Sequence, residues 1–256
     1  MHDAALATLG EQAYRTMRSM IVSGELPAGH WLRKRRLADQ LQMSATPVVE
    51  ALRRLQHEGL VETEPQWGAR VRVLTVAELQ ELSAMREVLE GLVAARCASA
   101  GLTSGQLASL RQQAEQVDRL DRSFTDPAVA QDRRGAPADE DAAFHLRLAE
   151  DAGLSLVCTE LERLRMLKAT LRMWMVPAPP TRVSHVQIVQ AIATGKPAHA
   201  EDVMRRHIRD NAEQYLAELR HRFGDGPILL NQSASTARRT TPPEPPPQRT
   251  RAGLNL

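Results

Sequence analysis

Ser44-Ala45-Thr46-Pro47, followed by Val48-Val49-Glu50-Ala51-Leu52-Arg53-Arg54-Leu55-Gln56-His57-Glu58-Gly59, is the stretch on which the reading of the fold turns. Ser44 or Thr46 supplies a hydroxyl for the orphan amides of a helix start. Pro47 suits the first helical position, where its missing N–H is harmless. Val48, Ala51, Leu52 and Leu55 share one face of a helix running from about Val48 to His57, and Gly59 sits where a helix stops. Upstream, Leu37, Leu41 and Met43 mark a short helix behind the basic run Arg33-Lys34-Arg35-Arg36. Before that, Tyr14, Met17, Met20 and Ile21 predict a helix over 11–23, ended by Gly24 and Pro27-Ala28-Gly29. Downstream the period changes. Val61, Val71 and Val73 alternate with polar residues around Pro65-Gln66-Trp67-Gly68, the pattern of a β-hairpin over 60–74.

Helix, helix-turn-helix, then hairpin is the element order of a winged helix-turn-helix. From Thr75 onward the pattern is helical, in segments 75–100, 103–121, 138–151, 155–175, 182–194 and 197–222. The segment 122–137 has the composition of an exposed loop. The fold class expected is therefore mainly α: a winged helix-turn-helix over 11–74, then an all-α antiparallel helix bundle over 75–222. Residues 1–10 are expected to be flexible. The Pro-, Ser- and Arg-rich stretch 223–256 carries too few apolar residues to offset the entropy of ordering, so disorder is expected there.

The 256 residues include 3% aromatic and 43% hydrophobic residues, which favours helices over a β-sandwich. No run of 18 apolar residues occurs, excluding a membrane helix, and MHDAALATLGEQ has no secretory pattern. Two cysteines, Cys97 and Cys158, support neither a disulfide framework nor a thiolate metal cluster; both read as small buried hydrophobes in a cytoplasmic protein. Net charge is only +2, but residues 11–75 hold a local excess of three positive charges while 76–222 hold an excess of two negative ones. A basic segment beside an acidic one implies two jobs.

The motif Ile21-x-Ser23-Gly24-x-Leu26-x-x-Gly29-x-x-Leu32, with Leu37-Ala38, Ser44-x-Thr46-Pro47-Val48, Glu50-Ala51-Leu52-x-x-Leu55 and Glu58-Gly59-Leu60-Val61, resembles the DNA-binding domain of GntR-family bacterial transcription regulators. The resemblance implies that Arg35 reaches phosphate or a guanine edge. It implies that Ser44 and Thr46 hold phosphate oxygens, and that Gly68 lets the wing backbone approach the minor groove. Many relatives carry arginine where this chain has Ala45 and Val49. Two guanine readers, each worth about 1–3 kcal/mol of discrimination, are thus missing, so a different base preference around Val49, or a weaker reading, is expected. Arg70 and Trp67 in the wing are candidates for compensating contacts.

In the helical part, Asp141 and His145 are four residues apart, on one helix face, and His185 and His207 stand on two further segments. One carboxylate and three imidazoles suit zinc, nickel, manganese or iron; by spacing alone they suit ordinary surface histidines as well. Arg86-x-x-Leu89-Glu90, Asp141-x-x-Phe144-His145 and the His185-to-His207 stretch resemble the FCD ligand-binding domain of FadR-type GntR regulators. That resemblance implies a divalent metal, zinc first, on Asp141, His145, His185 and His207. It also implies an effector-facing guanidinium at Arg86, whose plainer reading is a salt bridge to Glu90 or Glu87. Leu154 and Ser184 stand where relatives carry Asn and Glu, which puts the supporting polar contacts in doubt. Trp174 and Met166, Met173 and Met175 are candidates for the effector cavity. The function expected is a homodimeric regulator, acting as a repressor on palindromic operator DNA and responding to a small carboxylate. The alternatives are a metal-dependent hydrolase or a pure metal sensor using the same cluster.

Overall fold

The computed structural model describes residues 8–64, 67–123, 136–171 and 182–228. Helix α1 (Leu9–Ser23) opens on Thr8, whose Oγ1 accepts the Glu11 amide, so the first ordered turn begins within the span read as flexible. Helices α2 (Lys34–Leu41) and α3 (Ala45–His57) follow. α3 starts three residues earlier than the sequence implied. Ser44 is its N-cap but makes no side-chain capping bond, and Pro47 falls on the third helical position, still within the turn that lacks amide partners. The far end is as expected: Gly59 has φ 78°, and the Leu60 amide donates to the Leu55 carbonyl.

Strands β2 (Val61–Glu64) and β3 (Gly68–Val71) form the expected hairpin, with Glu62 opposite Arg70. A two-residue strand that the sequence did not announce, β1 (Trp31–Leu32), pairs with the other edge of β3, so the sheet order is β1-β3-β2 and wholly antiparallel. The remaining helices are α4 (Val76–Ala100), α5 (Ser104–Ser123), α6 (Ala136–Asp151), α7 (Ser155–Ala169), α8 (His185–Ala193) and α9 (Pro197–Phe223). A capping box between Thr75 and Glu78 starts α4, and another between Ser184 and Gln187 starts α8. Among the described residues no helix is long and apolar enough to cross a membrane.

Two apolar clusters hold the chain. One lies inside the bundle, built on Phe144, Leu148, Ile188, Met204 and Leu110. The other begins under the winged helix-turn-helix with Met17, Ile21, Val48, Leu55 and Val71. It continues into the bundle through Leu167, Leu171, Tyr215, Leu216 and Leu219, so packing does not break at residue 75. Met166 belongs to this second cluster. Cys97 is buried, with Sγ 3.4 Å from the Leu148 carbonyl, and burial pushes its thiol up to about 12; Cys158 is only half-buried.

Residues 223–228, which the sequence assigned to a disordered tail, are ordered. Gly224 ends α9, and the chain then turns back along the start of α4. The Val76 amide donates to the Gly226 carbonyl, and the Ile228 amide donates to the Leu74 carbonyl. Ile228 is 1% exposed within the shared cluster. Residues 229–256, and residues 124–135 within the stretch expected to be a loop, lie outside the described part. Ile228→Ala is expected to cost about 2–5 kcal/mol, the range for truncating a fully buried aliphatic side chain. Urea unfolding measures this, and an unchanged midpoint would mean the segment contributes nothing to the core.

Candidate metal centre and nucleic-acid interface

On the winged domain, Arg33, Lys34, Arg35 and Arg36 are all exposed and form no ion pair with any described residue. Ser44, Ala45 and Thr46 are exposed at the N-terminal end of α3, and Val49 is half-buried one turn on. The Ser44 hydroxyl makes no capping bond, so it is not spent on its own helix, and a helix N-terminus is a favourable place for a phosphate. Gly68, at φ 101°, has nothing within 4 Å of where a Cβ would stand, so the wing tip presents bare backbone. Arg70 is different. Its Nε and Nη2 donate to Glu62 at 2.6 Å and Glu64 at 2.9 Å, and its guanidinium lies 5.6 Å from the centre of the Trp31 ring. The wing arginine is held within its own sheet, and meeting DNA would require it to exchange those bonds.

In the bundle, Asp141 and His145 on α6, His185 at the start of α8 and His207 on α9 converge. Their potential ligand atoms all lie within 4.8 Å of one another. His145 is 4% exposed, and His185 and His207 are fully buried, so these are not surface histidines. Phe144 stands edge-on to His145 and His185 at 5.3 and 5.1 Å, closing the apolar side.

Hydrogen bonds orient His207 and His185 from behind, while His145 is in ion-pair contact with Glu90. His207 Nδ1–H donates to the Val183 carbonyl at 2.7 Å, which leaves its Nε2 lone pair buried with no partner. Burial and the neighbouring His185 and His145 charges push the His207 pKa down to about 3, so the ring is neutral. His185 Nδ1–H donates to Asp118 Oδ1 at 2.8 Å, and its Nε2 lies 3.2 Å from Asp141 Oδ1. Burial opposes charge on His185, but Asp118 and Asp141 outweigh it and raise the pKa to about 9. His145 Nδ1 touches Glu90 Oε2 at 2.5 Å, and its Nε2 is 3.6 Å from Asp141 Oδ1. Burial alone would raise the Asp141 pKa; its bonds to His145 and His185 take it well below the usual range.

The donor set fits a metal. Four donors about 2.0–2.2 Å from one tetrahedral zinc stand about 3.3–3.6 Å apart, so the widest pair, within 4.8 Å here, closes by about an ångström on binding. The unpartnered His207 Nε2 is a ready lone pair aimed at the other three ligands.

Sequence reasoning did not find the supports. Asp118 on α5 receives His185 Nδ1–H and both the His185 and Val186 amides, at 2.9 and 3.2 Å, fixing the ring and capping α8 at once. Ser184, whose identity had put that support in doubt, is occupied in the capping box. The signal was present: Asp118 continues the buried stripe Leu110, Ala114, Val117, where a carboxylate needs a partner. Arg86 is paired as the plainer reading held, its Nε donating to Glu90 Oε1 at 2.6 Å, while Glu87 pairs instead with Arg209. Glu90 contacts both Arg86 and His145, so the guanidinium borders the cluster; burial would lower the Arg86 pKa, but the charges of Glu90 and Asp141 raise it. Trp174, Met173 and Met175 lie outside the described residues.

Comparison with known proteins places the chain. Residues 9–71 match the model of the bacterial regulatory proteins of the gntR family, and residues 81–210 match the FCD domain. A Paenarthrobacter nicotinovorans protein named "Probable D-xylose utilization operon transcriptional repressor" is 32% identical over 193 residues, 73% of this chain and 80% of the relative. The HTH-type transcriptional repressor RspR of Escherichia coli K12 is 26% identical, covering 80% of this chain and 88% of that one. Among solved structures, E. coli McbR/YncC superposes with a TM-score of 0.61 at 20% identity, covering 83% of this chain and 99% of its own. A transcriptional regulator GntR from Rhodococcus sp. RHA1 gives 0.60 at 21%, over 81% and 97%. The chain belongs to the GntR family of bacterial transcription regulators, with an FCD domain behind its winged helix-turn-helix. The family is one of DNA-binding regulators, not of enzymes.

The opposed shifts of His185 and His207 have a thermodynamic consequence in chelated protein. His185, raised to about 9, adds stability that is complete below the ordinary imidazole value of about 6.5 and is lost as pH rises through 9. His207, lowered to about 3, adds stability that is complete above about 6.5 and is lost as pH falls toward 3. Thermal scans of the metal-free protein should therefore give the highest Tm near pH 6–7. A Tm flat from pH 5 to pH 9 would contradict this electrostatic picture.

Proposed function

We propose that this chain is a cytoplasmic, dimeric repressor that binds a palindromic operator through its winged helix-turn-helix, residues 11–74. Its helical part, residues 75–222, holds a divalent transition metal, zinc first with nickel, manganese or iron as alternatives, together with a small organic acid that alters operator affinity. The observation that carries this reading is the buried, unpartnered Nε2 of His207 facing Asp141, His145 and His185. A metal there would supply a positive centre to which an anionic group binds.

Arg86 supplies the second half of recognition. Glu90 takes its Nε edge, and among the described residues no hydrogen bond is made by the terminal nitrogens, which suits a carboxylate beside the cluster. The name of the Paenarthrobacter relative concerns a pentose operon, which fits a sugar-derived acid as the class of effector. On the DNA side, Arg35, Ser44, Thr46, Val49 and the Gly68 backbone form the reading face, with Arg70 joining only if it leaves Glu62 and Glu64. Ala45 and Val49 in place of arginine give this repressor its own base preference.

Continuity of packing supports coupling between the two parts. His207 lies on α9, and Tyr215, Leu216 and Leu219 on the same helix pack into the cluster shared with the winged domain. Tyr215 OH is 2.6 Å from Ser83 Oγ on α4, and Arg72 of the wing pairs with Glu78 at 2.7 Å. An effector changes DNA affinity only if two arrangements of these parts bind it unequally, and the effect is then reciprocal.

The test selects an operator from random DNA and titrates it by fluorescence anisotropy, with and without members of a carboxylic-acid panel. Arg35→Ala should weaken operator binding about tenfold and leave the effector response intact, since one base or phosphate contact is lost. Arg86→Ala should retain operator binding and metal while losing the response. A wild type insensitive to every acid in the panel, or an Arg86→Ala variant that responds normally, would count against the effector assignment.

A further inference from the structure

Among the described residues, a face of α4 has no partner. On α4, Leu79, Glu90, Val93, Ala94 and Cys97 are buried, yet Met85, Val88 and Leu92 are 41%, 54% and 49% exposed. They are three of the five large hydrophobic side chains exposed among the described residues. Spaced i, i+3 and i+7, they form a single stripe. Isolated exposed hydrophobes are ordinary, whereas an aligned set marks a contact surface.

The ends of the stripe carry opposite charges. Glu81 stands four residues before Met85, and Arg96 four residues after Leu92. Both are exposed, and neither pairs with any described residue. Met85 and Leu92 share a midpoint between Val88 and Leu89, and Glu81 and Arg96 share the same midpoint. That symmetry selects the occupant.

We infer that this stripe of α4 seats α4 of a second copy of the chain, antiparallel, across a two-fold axis at Val88–Leu89. In a two-fold contact, if residue i meets j then j meets i. Met85 of each copy then packs on Leu92 of the other, Val88 lies on the axis, and Glu81 meets Arg96 twice. A parallel arrangement would instead set Glu81 against Glu81 and Arg96 against Arg96, so charge selects the antiparallel register. The inference deepens the dimeric reading and rests on it; what it adds is the face and the register.

Sedimentation equilibrium of the full-length chain tests both, with far-UV circular dichroism to confirm folding. Leu92 is exposed in the single chain, so Leu92→Asp should fold normally and weaken self-association at least tenfold. Glu81→Arg and Arg96→Glu should each weaken it by about three- to tenfold, and the double variant should recover to within about twofold of wild type. A dimer unaffected by Leu92→Asp would overturn the face while leaving the dimer standing. A double variant no better than either single would overturn the antiparallel register. A wild-type chain that is monomeric at tens of micromolar would overturn the dimeric reading itself, and this inference with it.

Discussion

A neutral imidazole nitrogen with no partner, at the centre of an apolar bundle, is the constraint on which the helical part of this protein turns. His207 spends its one N–H on the Val183 carbonyl, and its remaining lone pair is walled in with His145, His185 and Asp141. Leaving a buried polar atom unsatisfied costs about 1–3 kcal/mol, and the His145 nitrogens beside it also lack a hydrogen bond, so the arrangement calls for a further partner. Asp118, Glu90 and the Val183 carbonyl stand behind the three imidazoles. That is the pattern by which outer contacts fix tautomer and direction in metal sites.

The same helices that build this cluster carry its consequences outward. α4 presents Glu90 and Arg86 to the cluster, Ser83 to Tyr215 and an apolar stripe to the exterior. α9 presents His207 to the cluster and Leu216 and Leu219 to the core beneath the wing. A ligand that moved either helix would be felt at the base of the DNA-binding domain, because the apolar cluster has no seam at the junction. The returning segment around Ile228 fastens the same junction from the other end of the chain.

The helices were legible because apolar residues recur in them at helical spacing, and the reading helix because Ser44, Pro47 and Gly59 punctuate it. What escaped the sequence depends on distant partners. β1 is two residues long and exists only because β3 pairs with it. Asp118 declares its role only when α8, sixty-seven residues on, places His185 against it. Ile228 was lost in the average composition of a Pro-rich stretch, although its own neighbourhood is apolar. Arg70 stood as a candidate for a DNA contact; that it pairs with Glu62 depends on the hairpin register, which composition does not give. The four ligand-type residues were recognised by resemblance; spacing alone left the surface reading open, and burial closes it.

The central claim is that the four converging side chains hold one divalent metal. Elemental analysis of the purified full-length protein, reconstituted with excess zinc and passed through a desalting column, tests it directly. The account predicts about one equivalent per chain for wild type, and less than about a tenth for His207→Ala that remains folded. A wild-type chain that retains no stoichiometric metal after reconstitution would contradict it.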